Sequence, residues 1–255
     1  MTVMDFAAAR KNCADWQNIA FGTLDAYKAQ HGSSPVMPVV NTMMTTAAGL
    51  LNQTEPIAKN EDGLLSPEGV DQLLASQRAS AAAKLQDGLQ QFDAVLGQHV
   101  VNLANKALPQ IPAGADESLL RQETQMLVAA SENPSTALMN IAQGQRRDLA
   151  AVAISPWGAS LAGTVGLNPA DLAPLRAAAM KGSLQYGTDA QKRAADEYVS
   201  ATRLAPLREV LNNVVSEVLG VEGTKGVDLH YPLGDAPNVH EWAAAPQGAP
   251  PMVKA

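Results

Sequence analysis

The chain has 255 residues, 46% of them hydrophobic but only 4% aromatic, and charged residues make up 17%. A net charge of −7, from 18 basic and 25 acidic residues, argues against general binding to nucleic acid or to anionic membranes, both of which need a positive field. The single cysteine, Cys13, rules out an internal disulfide and a cysteine zinc cluster.

This length fits one large domain or two small ones. With so few aromatics, the apolar content is alanine and mid-sized aliphatics. Such residues form helices well but bring little area to each contact. The low charge suggests a surface covered in part by other subunits, although Gln, Asn, Ser and Thr could serve in place of charges.

In chain order, Phe6, Ala9, Cys13, Trp16, Ala20, Leu24 and Tyr27 recur at steps of three and four, which predicts a helix from Asp5 to about Gln30. Cys13 reads as a small filler on that face. The start MTVMDFAAARKNCADW lacks the apolar core of a secretory signal, and no stretch is long and apolar enough to span a bilayer. The expectation is a soluble protein made in the cytoplasm. Gly32-Ser33-Ser34-Pro35 ends the first helix. A second starts near Pro38 and carries Val39, Val40, Met43, Met44, Ala47, Leu50 and Leu51, and NQTEPIAKNEDG then reads as a polar loop.

Ser66 and Pro67 form a strong helix start, an N-cap followed by a proline whose missing N–H is not needed there. Leu85, Leu89, Phe92, Leu96, Val100 and Leu103 continue as one stripe, giving a helix of about 40 residues, roughly 60 Å long. Gly88 and Gly97 are places where it could bend. Its first half, QRASAAAK, holds almost no large apolar residue and is either exposed or packed on another small-residue helix.

PQIPAG closes that element, and Asp116 opens a helix through Leu119, Leu120, Met126, Leu127 and Ala130. Asn133-Pro134 and Asn168-Pro169 each read as a helix start, with ISPWGASLAGTVG between them as a loop anchored by Trp157. Thr188 and Gln191 make a capping box that begins a C-terminal helix through Ala194, Tyr198, Ala201, Val210, Val214 and Leu219, which Pro206 should kink or split. After Gly220 five prolines and no helical period predict an extended arm, with Tyr231, Val239 and Trp242 as partner-binding anchors.

Candidate chemistry is sparse. Of the four histidines, His31 caps a helix end beside Gly32, and His99 lies next to the long helix's apolar stripe as a packing residue. Asp228, His230, Asp235, His240 and Glu241 gather in the arm, but proline-broken spacing presets no metal geometry, so they read as a polar arm. Arg146-Arg147, the tightest basic pair, reads as a solvated helix face. No GxSxG, HExxH or P-loop pattern occurs, and GVEGTKG follows no strand. Adjacent carboxylates such as Asp116-Glu117 and Asp196-Glu197 point to different sides of a helix. No cofactor and no metal are expected.

The stretch LLSPEGVDQLLASQRASAAAKLQ resembles segments of tailed-bacteriophage structural proteins. In these, an (L/I)(S/T)PEG helix start leads into a long helix rich in Ala, Arg, Gln and Lys. The resemblance implies a small helical virion protein of the head–tail adaptor, connector or internal type, and assigns no functional residue.

The combined reading is an all-α protein of roughly six to eight helices. A multi-helix bundle over 1–220 is built around one long central helix, about 66–107, and an extended Pro-rich C-terminal arm follows over 221–255. The expected function is a non-enzymatic structural or assembly protein of a phage particle, ring-forming at the portal or head–tail junction. Expected partners are copies of itself and portal, capsid or tail proteins, with no specific nucleic acid; the expected location is the virion. Two alternatives remain open: a bacterial partner-binding or scaffolding helical protein, and a helical lytic enzyme with two facing carboxylates.

Overall fold

A computed structural model of the chain describes residues 5–61, 63–169 and 172–219. Among the described residues there are ten helices and no strand, so the protein is all-α: α1 (Phe6–His31), α2 (Met37–Lys59), α3 (Pro67–Ala107), α4 (Glu117–Ala129), α5 (Pro134–Gln143), α6 (Arg147–Ala153), α7 (Pro156–Thr164), α8 (Ala173–Tyr186), α9 (Asp189–Thr202) and α10 (Leu207–Leu219). The expected arm over 221–255 lies outside the described residues.

Polar caps start most of these helices. The N–H groups of Ala7 and Ala8 donate to the Asp5 carboxylate at 3.0 and 3.1 Å, and those of Ser118 and Leu119 donate to Asp116 at 3.0 and 3.2 Å. Ser66 Oγ accepts from Gly69 N–H at 3.1 Å, which fixes the start of α3 at Pro67. Asn133 accepts from Thr136 N–H, and Thr188 with Gln191 forms the expected capping box. Pro206 splits the C-terminal segment into α9 and α10.

Three expected boundaries differ from the structure. First, the polar stretch after Leu51 continues α2 to Lys59. Leu51 and Thr54 are buried there, Glu55 pairs with Lys59 at 3.0 Å, and the helix runs on past Pro56 although a proline there forgoes its own N–H bond to the preceding turn. Asn60, with φ 40°, then ends the helix. Second, the expected loop around Trp157 is helix α7, opened by Ser155 Oγ accepting from Gly158 N–H at 3.2 Å. Gly158 is a contact residue and not a breaker: a Cβ there would lie 2.1 Å from Ala153 O. Third, Asn168-Pro169 opens no helix; α8 begins at Ala173 with Pro174 in its first turn.

The chain divides into two compact units. The first holds the described residues up to Leu96 and those from Leu204 onward. In it α1, α2 and α10 pack against one another. Leu24 and Tyr27 of α1, Val40, Met43 and Leu51 of α2, and Leu211, Val214 and Val218 of α10 are buried. α3 adds Leu85, Leu89, Phe92 and Leu96, each with no exposed surface. A Cβ on Gly88 would come within 2.6 Å of Met43 Cγ, so this glycine lets the buried methionine lie against the helix backbone. Before Leu85, only Leu74 and Ala81 of α3 are buried, so QRASAAAK is part exposed and part half-buried around Ala81.

Among the described residues the second unit is Gly97–Arg203. Its helices are shorter, and their contacts run chiefly α5 on α8, α8 on α9, and α4 and α5 on α6. One apolar cluster joins Val128, Leu138, Ala142, Leu175 and Ala179; another joins Leu120, Leu149 and Val152, with Ile111 and Trp157 against it. Alanine dominates these contacts, so the helices must approach closely to bury any useful area. Gly182 of α8 marks a close approach to α5: a Cβ there would meet Gln143 O and Arg147 Nη1, both at 2.3 Å.

Two glycines in helix interiors should therefore respond oppositely to alanine. Gly22→Ala, with nothing within 4 Å of the added Cβ, should raise stability by about 1 kcal/mol through helix propensity. Gly182→Ala should lower it by about 2 kcal/mol, because the overlap with backbone outweighs the same propensity gain. Urea unfolding of the two variants checks the sign of each.

Candidate interaction surface

The charged and reactive side chains are mostly committed to the fold. Arg146 and Arg147, expected as one solvated pair, have separate roles. Arg146 is exposed and binds two carboxylates, donating to Glu123 at 3.0 and 3.2 Å and to Asp148 at 3.0 and 2.8 Å. This holds the Asp148 carboxyl below its ordinary range. Arg147 turns inward. Its guanidinium donates to the carbonyls of Ala142, Gly144 and Ala179 at 3.1, 3.0 and 2.6 Å and to Ser183 Oγ at 2.9 Å. Two of these carbonyls lie at the C-terminal end of α5, where a cation suits the helix dipole. Burial lowers its pKa to about 10, so it stays a cation at neutral pH while tying α5 and α6 to α8.

In the first unit, Arg208 of α10 donates Nε to both oxygens of Asp93 of α3 at 3.1 and 3.0 Å and Nη1 to Asn212 at 2.6 Å. Both charged side chains are nearly buried, at 11% and 6% exposure. Glu55 receives Arg10 and Lys59 together beside Asn52, around a polar groove of about 460 Å³. Its pKa is lowered, first by the hydrogen bond from Lys59. A smaller groove of about 170 Å³ lies beside Met43, Lys84 and Gln91.

The sequence's other candidates are placed as follows. His31 ends α1, with its ring 5.2 Å from that of Tyr27. His99 is partly buried, 3.5 Å from Glu197 in the second unit. Cys13 is half-buried, and burial with the nearby Glu217 carboxylate raises its thiol to about 11. Tyr231, Val239 and Trp242, and the polar set from Asp228 to Glu241, lie outside the described residues. Among the described residues no group of three metal-type side chains converges, and no helix is long and apolar enough to cross a membrane.

One face is left over. In α4, Leu120, Thr124 and Val128 are buried at steps of four, so their neighbours Leu119 and Leu127, along with Met126, turn outward. These three are 60%, 47% and 64% exposed, respectively. Their polar surroundings are self-contained: Arg121 donates to Glu117 at 2.5 Å and lies 6.0 Å from the Trp157 ring, while Glu123 is held by Arg146. The signal was present in the sequence. Two apolar residues in a row at 119–120, and three at 126–128, cannot all face one core, because successive residues on a helix are turned by about 100°. Compared with protein-family models, curated proteins and solved structures, the chain gives no significant match to any.

Two measurements follow from these side chains. At pH 8 the Cys13 thiol of the folded protein should react with a disulfide reagent roughly a hundredfold more slowly than a free cysteine, and at the ordinary rate in denaturant. Asp93→Ala should destabilise the fold by about 3–5 kcal/mol by stranding a buried guanidinium, whereas Asp93→Leu combined with Arg208→Met should lose far less. Urea unfolding of the single and double variants separates the two outcomes.

Proposed function

We propose that this chain is a non-enzymatic structural protein of a phage particle. In this reading it packs helix faces against copies of itself and against portal, capsid or tail proteins, as a ring component at the portal or head–tail junction. The outward apolar side of α4 carries the proposal. Leu119 and Met126, two turns apart on the outward side of α4, and the half-exposed Leu127 leave apolar surface in water, of the kind that protein partners cover. The phage-like start LLSPEG adds support, since it opens a helix of 41 residues whose first part is exposed along much of its length. Such a helix suits a strut, and packing is the whole of the mechanism: apolar side chains leave water, and paired charges set the register.

Native mass spectrometry of the purified chain, alone and with portal protein, tests the proposal. The expected result is a discrete oligomer, or a monomer that assembles once the portal is added, together with a fixed copy number in purified particles. A chain that stays monomeric in both mixtures and is missing from particles overturns it.

A further inference from the structure

We infer that the junction of α5, α6 and α8 is a guanidinium-selective site whose ligand is built into the chain, and that the junction closes only with a guanidinium in it. The inference concerns the second unit alone and does not rest on the assembly reading. Arg147 supplies the ligand, and each of its two terminal nitrogens serves one helix. Nη1 donates to the carbonyls of Ala142 and Gly144 at the end of α5, at 3.1 and 3.0 Å. Nη2 donates to Ala179 O and Ser183 Oγ of α8, at 2.6 and 2.9 Å. Both hydrogens of each nitrogen are thereby used. Nε is buried with no acceptor among the described residues, so all the recognition runs through the two terminal nitrogens.

The surroundings are shaped for that group. Gly182 leaves the space that Nη1 fills, since a Cβ there would overlap it. Ser183 has no exposed surface, and its hydroxyl donates to Ala179 O at 3.1 Å, which leaves its lone pairs to accept from Arg147. No carboxylate pairs with Arg147 among the described residues. Asp148, next in the chain, is held by Arg146 at 3.0 and 2.8 Å. The cation is balanced instead by carbonyl dipoles, two of them at the negative end of α5.

This donor set excludes the usual substitutes. An ammonium is a compact point charge and cannot present two pairs of donors in one plane, so lysine satisfies one helix and leaves the other. An apolar side chain leaves buried carbonyls without donors. The contrast with Asp93 and Arg208 is instructive, because there both partners are side chains and can be replaced together. Here three of the four acceptors are backbone, and no second substitution removes them. The position is half-buried and not sealed, so a small ion can enter once the side chain is gone.

Thermal unfolding of the full chain, as wild type, Arg147→Ala and Arg147→Lys, tests the inference. About 50 mM guanidinium chloride should raise the melting temperature of Arg147→Ala by at least about 2 °C, while lowering that of the wild type as a weak denaturant does. Ammonium and potassium chloride at the same concentration should not raise it, and Arg147→Lys should melt close to Arg147→Ala. In the wild type, nitrogen NMR of the arginine side chains should show separate, slowly rotating Nη signals for Arg147, a measurement that needs no variant to fold. Guanidinium that lowers wild type and Arg147→Ala alike overturns the inference. So do rescue by potassium or ammonium to the same extent, a lysine variant as stable as the wild type, and a single averaged Nη signal for Arg147.

Discussion

Small side chains are the constraint on which this structure depends. A helix lined with alanine buries little area at ordinary separations, so its neighbours must come close. Backbones can come close only where a Cβ is missing, and Gly158 against Ala153 and Gly182 against Gln143 are such places in the second unit. At such short range, carbonyl groups face inward and need donors. Arg147 supplies them, four contacts from one side chain, and so stabilises a junction that apolar burial alone would hold weakly. The first unit solves a related problem differently. It has larger buried residues on α2 and α3, and its buried polar contact is an ion pair, Asp93 with Arg208, satisfied further by Asn212.

Buried charges of this kind define arrangement more than they add stability. Removing an ion from water is expensive, and its partner recovers that loss only in one geometry. Arg208 reaches both oxygens of Asp93, so a slip of α10 along α3 by one residue would break the contact. For Arg147 the acceptors are carbonyls on two helices and a serine hydroxyl, which likewise fit one placement of α5, α6 and α8. Aliphatic packing among alanines is permissive about register; these contacts are not.

The features legible in the sequence are the local ones. Asp5, Ser66, Asp116, Asn133 and Thr188 cap helices, and each does so through its own side chain and the next turn of backbone, so a short window suffices. Pro206 is legible for the same reason. Glycine and proline misled wherever their role came from how a neighbour is placed in space rather than from their own backbone preference. Gly158 reads as a loop residue until Ala153 O is seen beside it, and Pro56 reads as a stop until the burial of Thr54 is known. Arg147 looks like half of a solvated pair because its acceptors on α8 lie 32 and 36 residues away, and Asp93 is 115 residues from Arg208. The outward face of α4 was legible in principle, since consecutive apolar residues on a helix must diverge.

That face is also where folding and function come apart. Leu119 and Met126 keep most of their surface in water in the folded unit, so they contribute less to its stability than buried residues of their size. Lysine, glutamine or glutamate would serve the helix as well by propensity and would serve solubility better. An exposed apolar patch is a liability to an isolated molecule. On the assembly reading proposed above, its compensation lies outside the unit that carries it, in a surface that covers it. Each charged side chain on α4 is already neutralised by a neighbour, so a covering surface need bring no charge of its own, only shape and apolar area.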